Sequence, residues 1–266
     1  MAGPTTAERD GRAQAESGRS GPDGSPPGRR FRLPGRYVLI AVAAGTLLLV
    51  AGGTWVLYGS HWLRVETVST SGTDVLTVAE VERAAAVPVG SPLVSVDTGA
   101  IGERLRQRLP RIDTVEVTRS WPHGIGLEVT ERQPVLLIEK GGKFIEVDSG
   151  GTRFATVGKA PKGVPLLKLT VERSTGQPRF PAGRLTGEAV QVRSELPGKV
   201  AADTRAIRVR SYDSISLELT GGRTVMWGSG EDGAAKARAL TALMKAAPGA
   251  GHFDVSAPTA PAASRS

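Results

Sequence analysis

The chain has 266 residues, 39% of them hydrophobic and 5% aromatic, with a formal net charge of +8. That length and composition allow one or two small folded units with modest cores. No cysteine is present, which excludes a disulfide framework, a thiolate zinc site and a cysteine nucleophile.

Residues 1–36 are rich in Gly, Pro, Ser, Arg and Ala and nearly free of large apolar side chains. Such a segment buries too little surface to offset its ordering entropy, so a disordered tail is expected there. From Tyr37 to Leu57 there follow 21 residues without a charge. A helix of that length spans roughly 30 Å, the hydrocarbon thickness of a bilayer. Tyr37 at one end and Trp55, Tyr58 and Trp62 at the other suit the two interfaces. A cleaved signal peptide would need a shorter apolar region close to the N-terminus, and a soluble core helix would carry a polar stripe. Residues 37–58 are therefore read as a transmembrane helix. Arg29, Arg30, Arg32 and Arg36 crowd its N-terminal flank, whereas the first charge beyond it is Arg64, followed by Glu66. Positive charge is retained on the cytoplasmic side, so the expected topology is single-pass type II in the cell membrane, with the C-terminal residues outside the cytoplasm. The part after the span then has a net charge of only +5 with the signs interspersed. That pattern reads as a solvated surface, not a nucleic-acid groove.

Beyond the span the pattern changes about every ten residues. Val65 to Ser69 reads as a strand closed by Ser71-Gly72. Thr77-Val-Ala-Glu80 has capping-box form, and Val78, Val81 and Ala85 share the face of the helix that follows. A second helix over Asp97–Arg108 places Ile101, Leu105 and Leu109 in one stripe and points Arg104, Arg106 and Arg108 away from it. The period then drops to two. Val115 and Val117, then Ile125, Leu127 and Val129, alternate with polar residues around Trp121-Pro-His-Gly124, which makes a hairpin. Residues 62–132 thus form a compact β-α-α-β-β unit.

Residues 133–256 are richer in strand. Lys143–Val147, an Asp148–Gly151 turn and Thr152–Thr156 come first, then a short apolar stretch, Gly163–Leu167. Residues 184–196 have helical character. Ile207 and Val209, then Ile215, Leu217 and Leu219, then Val225 and Trp227 mark three strands, the last two joined across Gly221-Gly222. Gly233–Ala247 is amphipathic, with Leu240, Leu243, Met244 and Ala247 on one face and Lys236 and Arg238 elsewhere. A last strand covers His252–Ser256, and residues 257–266 read as a disordered tail.

Catalytic patterns are missing. His61, His123 and His252 lie far apart with no ligand spacing, so neither a metal nor a cofactor is expected. Gly228-Ser-Gly-Glu-Asp-Gly233 with Lys236 lacks the Gly-Lys-Ser/Thr ending of a phosphate loop and reads as a helix cap. No nucleophile elbow or Ser-x-x-Lys sequence occurs. Glu128 and Glu131 fall on opposite faces of one strand, and Glu131-Arg132 suits an inter-domain junction better than acid–base work. Trp121-Pro122 is either an exposed partner contact or, the favoured reading, a turn aromatic packed on the small core.

The hairpin Val117-Thr-Arg-Ser-Trp-Pro-His-Gly-Ile-Gly-Leu-Glu-Val-Thr-Glu-Arg-Gln-Pro-Val-Leu136 resembles the hallmark of the FtsQ/DivIB bacterial cell-division proteins. In these a polypeptide-transport-associated (POTRA) domain ends in a Trp-Pro turn and a Glu-Arg-x-Pro strand. Val65–Gly72, Phe144–Gly150, Gly163–Leu167, the Gly228…Lys236 helix start and Phe253-Asp-Val255 are similar in order and spacing, so the resemblance covers residues 37–256. The Ala/Gly/Arg-rich composition is similar to that of actinobacterial members. The resemblance implies an α+β fold: one transmembrane helix, a POTRA domain and a mixed, strand-rich β domain. It implies a non-enzymatic division scaffold that binds two other bitopic proteins, FtsB and FtsL, with no nucleic acid and no small-molecule substrate. It also implies an open edge strand to which a partner adds a strand. Here that edge is expected at His252, Phe253, Asp254, Val255 and Ser256, with Thr224, Val225, Met226 and Trp227 as its neighbour. The competing reading is a membrane-anchored envelope enzyme acting on cell-wall polymer, which would need a cleft of convergent carboxylates with shifted pKa values.

Overall fold

The computed structural model describes residues 35–170 and 182–265. The tail expected over residues 1–36 lies outside them except for its last two residues, as do Arg29, Arg30 and Arg32. Helix α1 (Arg36–Gly59) is 24 residues long and buries none of them, so its Leu, Val and Ile side chains are exposed along about 36 Å of helix. Uncovered apolar surface of that extent is stable only in an apolar medium, which a bilayer supplies.

The strand that follows, β1 (Thr67–Ser71), starts two residues later than the sequence pattern suggests. Val65 is instead a core residue, its N–H donating to Ser91 O at 2.9 Å. The strand stops at Gly72, where φ is +78° and the Cα lies against Val129 O, leaving no room for a Cβ. Helix α2 (Val78–Ala85) opens on the expected reciprocal capping box between Thr77 and Glu80. Its buried stripe is Val81, Ala84 and Ala85, while Val78 stays exposed. Helix α3 (Thr98–Arg108) starts from Asp97, whose carboxylate accepts from Ala100 N–H at 2.9 Å, and buries Ile101 and Leu105. Arg104 and Arg108, expected to point away, reach back to the carbonyls of Ala85 and Ala84. The free carbonyls at the end of α2 attract those cations.

Strands β2 (Ile112–Ser120) and β3 (Gly124–Glu131) form the expected antiparallel hairpin, and β1 adds parallel to β3, giving the order β1-β3-β2. The Trp121–Pro122 bond in the turn is cis. Trp121 itself is 54% exposed, which corrects the favoured expectation of a packed aromatic: in the turn between β2 and β3 it lies outside the buried cluster of this unit and is not packed against it.

The remaining strands make one nine-stranded sheet. In chain order they are β4 (Leu136–Lys140), β5 (Lys143–Val147), β6 (Arg153–Val157), β7 (Leu166–Leu169), β8 (Thr204–Ser211), β9 (Ser214–Leu219), β10 (Thr224–Gly228), β11 (His252–Asp254) and β12 (Ala262–Ser264). Their spatial order is β12-β11-β10-β9-β8-β7-β4-β5-β6. Helices α4 (Ala182–Glu195), α5 (Gly198–Asp203) and α6 (Gly233–Ala246) complete the unit, and their apolar faces share a core with the sheet around Trp227, Phe253, Leu240, Ile207 and Leu217. Strand β4, helix α5 and strand β12 had no separate signal in the sequence. The sequence pattern puts Lys236 away from the apolar face of α6, yet it is only 2% exposed, and its Nζ donates to Ser229 O at 2.9 Å.

Candidate partner-binding edge

The nine residues singled out from the sequence do come together. β10 and β11 run parallel in the register Thr224↔His252, Val225↔Phe253 and Met226↔Asp254, and Val255 N–H continues the ladder to Met226 O at 3.0 Å. The period-two alternation divides them into two faces. Val225, Trp227, Phe253 and Val255 are fully buried under the helices. Thr224, Met226, His252 and Asp254 line the other face, where Thr224 Oγ1 and His252 Nδ1 share a hydrogen bond of 2.8 Å. Asp254 accepts from Ser256 N–H at 2.9 Å and from its hydroxyl at 2.7 Å. Those two bonds, helped by nearby His252, hold its carboxyl below the ordinary aspartate range. Gly228, with φ at +81°, lies so close to Ser256 that a side chain there would collide with it.

The edge itself is not where the sequence pattern put it. β12 pairs antiparallel with β11, Ala263 opposite Phe253, and Gly251 N–H donates to Ser264 O at 3.1 Å. The terminal strand of the sheet is therefore Ala262–Ser264, inside the segment expected to be a disordered tail. All three of its side chains are exposed, so it is held by backbone hydrogen bonds and contributes nothing to the core. Alanine and serine just after Pro261 carry little strand propensity, which is why no pattern announced it.

A second constellation joins the POTRA-like residues to the large sheet. Arg111 pairs with Glu146 and lies over the Phe154 ring, 5.2 Å from its centroid. Arg132 pairs with Asp148 and reaches Asp113 at 3.1 Å. Asp148 also accepts from Gly150 N–H and Thr152 N–H at 2.9 and 2.8 Å, which fixes the β5–β6 turn. Glu131 is 6% exposed, and its carboxylate accepts from the consecutive N–H groups of Asp74, Val75 and Leu76 at 2.8–3.0 Å. The Glu-Arg pair at residues 131–132 is thus committed to loop and junction order. Among the described residues, the buried acids Glu131, Glu146 and Asp148 each hold structure in place.

Lys236 is the one charged residue near these strands that sequence reasoning misplaced. The signal was present, since Lys236, Leu240 and Met244 are spaced i, i+4 and i+8 on one helical face. Burial lowers its ammonium pKa, opposed by Asp232, Glu231 and Glu195.

The profile of the POTRA domain, FtsQ-type, matches residues 63–132. The chain is 64% identical over 270 residues to the cell division protein FtsQ of Streptomyces venezuelae, covering all of this chain and 99% of that one. Identity to the FtsQ of Streptomyces coelicolor is also 64%, over the whole of both chains. The chain belongs to the FtsQ family. A more distant FtsQ, from Mycolicibacterium smegmatis, is 35% identical over 96% of this chain and 72% of its own length. This FtsQ-family chain is a POTRA-containing cell division protein with an α+β fold, and α1 makes it a single-pass membrane protein. Membership in a division family implies contacts with other division proteins.

Proposed function

We propose that this FtsQ-family protein is a non-enzymatic scaffold of the division machinery, with its N-terminus in the cytoplasm and its folded lobes, residues 62–132 and 133–256, outside it. It gathers at the division septum and binds FtsB-like and FtsL-like bitopic proteins there. The arginine-flanked end of α1 supports the orientation.

The observation that carries the binding mode is the free side of β12. A three-residue strand with exposed side chains ends a nine-stranded sheet, so its outer backbone donors and acceptors are open to another strand. A partner strand either extends the sheet beyond Ala262–Ser264 or displaces β12 and pairs directly with His252–Asp254. Thr224, Met226, His252 and Asp254 then present their side chains beside it on the open face. Phe253, Val255, Val225 and Trp227 support the edge from the core side without being free to touch a partner.

The test uses the full chain in lipid nanodiscs with the purified FtsB-like and FtsL-like proteins of the same organism. Charged substitutions at Phe253 or Val255 would break the core and so confuse the result. Deletion of residues 257–266 and the substitution Ala263→Pro act on the edge alone. If β12 is the docking strand, both variants lose binding; if β12 is a placeholder, the deletion binds more tightly. Unchanged affinity in both variants removes the edge from the interface.

A further inference from the structure

Arg193, in the last turn of α4, is a cation without a counter-charge. Its Nε is shut off from solvent and has no hydrogen-bond partner, and none of the ion pairs among the described residues involves it. Burial alone makes its guanidinium easier to deprotonate than an ordinary arginine, with no carboxylate acting on it. Only the Nε is shut in, since the residue as a whole is partly exposed; an enclosed N–H without an acceptor is costly, and such groups in native folds ordinarily have a partner.

The surroundings describe that partner. Arg193 borders a cavity of about 580 Å³ with Val135, Ser149, Gly150, Gly187, Val190 and Leu196 in its wall. This volume lies within the usual range for ligand pockets, about 300–1,000 Å³. Among the described residues, the other side-chain donors nearby and the Asp148 carboxylate are already engaged. Gln191 donates to Gly230 O and to Glu195, Ser194 donates to Gln191 O, and Asp148 serves Arg132 and its own turn. Of the side-chain donors among the described residues of this wall, the Arg193 guanidinium and the Ser149 hydroxyl remain. One guanidinium matches one monoanion, and its planar fork fits a carboxylate. Val135, Val190 and Leu196 offer an apolar sleeve for methylene groups. At the rim, nothing lies within 4 Å of where a Cβ of Gly187 would stand, so a polypeptide backbone can approach the opening closely.

We propose that this cavity receives an acidic side chain of a partner polypeptide. Arg193 anchors the carboxylate, Ser149 adds a second donor, and Val135, Val190 and Leu196 hold the aliphatic stem. The site lies on elements other than β12 and does not rest on strand addition.

The test labels the full chain in zwitterionic nanodiscs with phenylglyoxal, which modifies accessible guanidinium groups, and reads each arginine by mass spectrometry. The probes are N-acetyl-glutamate methylamide, N-acetyl-glutamine methylamide, acetate and inorganic phosphate at matched ionic strength. The glutamate derivative should slow labelling of Arg193 several-fold and more than acetate does, while the glutamine derivative leaves it unchanged. The exposed Arg153 should respond to none of them. Equal protection by the glutamine derivative, equal protection by acetate, stronger protection by phosphate or no protection at all would each overturn the proposal. The glutamate derivative should also raise the Tm of the native chain but not that of Arg193→Gln. A rise in both would overturn it too. Should Arg193→Gln fail to fold, the labelling of the native chain decides alone.

Discussion

Replacing Glu131 by alanine removes one carboxylate that serves three successive backbone N–H groups, those of Asp74, Val75 and Leu76. A fully buried hydrogen bond to a charged acceptor is worth about 1.5–3 kcal/mol, a neutral-strength bond about 0.5–1.5 kcal/mol. Asp74 and Val75 are exposed residues whose N–H groups can turn to water once the acceptor is gone, so the lower range applies to each. Three such bonds give roughly 2–4 kcal/mol. At about 1.4 kcal/mol per power of ten, amide exchange at these residues should quicken roughly 30- to 700-fold. Hydrogen–deuterium exchange of the full chain, read at peptides spanning residues 73–77, measures this directly. Glu131→Gln retains a carbonyl acceptor but opposes the N–H groups with its own amide, so its exchange should fall between native and Glu131→Ala. Equal exchange in native and Glu131→Ala would refute the assignment of this carboxylate as the tie between β3 and the loop before α2.

Other perturbations test the remaining charges. Arg111→Ala should destabilise the chain by about 3–5 kcal/mol in denaturant unfolding, because it strands the buried Glu146 carboxylate; the double replacement Arg111→Met, Glu146→Leu should recover most of that loss. Lys236→Met should leave Tm within a few degrees of native, since an apolar chain of similar length replaces a buried ammonium. Lys236→Ala, which opens a cavity, should cost about 2 kcal/mol or more by the same unfolding measurement. Glu188 has its pKa raised by burial and by the neighbouring acids Glu231 and Glu195, against Arg184. A raised carboxyl costs nothing while protonated and weakens the fold as it ionises, so Glu188→Gln should raise Tm increasingly as the pH climbs above the ordinary glutamate value of 4.5. The same gain at every pH would show that the acid cluster does not cause it.

What the sequence determined by itself is whatever repeats locally. An uncharged run as long as a bilayer is thick, a capping box at Thr77–Glu80, and valines and leucines in steps of two or four each state their own burial. The helices of the POTRA unit, its hairpin and most strands of the large sheet follow from those signals alone, and they already brought Thr224–Trp227 beside His252–Ser256. Tertiary structure decided the matters in which distant residues compete for one place. β12 is a strand because the β11 edge supplies its hydrogen bonds, not because Ala-Ala-Ser favours one. Lys236 goes inside because Ser229 O accepts from it there, and Trp121 stays outside the buried cluster of its unit. The lone Arg193 guanidinium acquires meaning only from the cavity beside it. Periodicity records which face a residue turns inward; it holds no information on which backbone edge lies unpaired or which charge lacks an opposite, since both depend on strands and helices far apart in the chain.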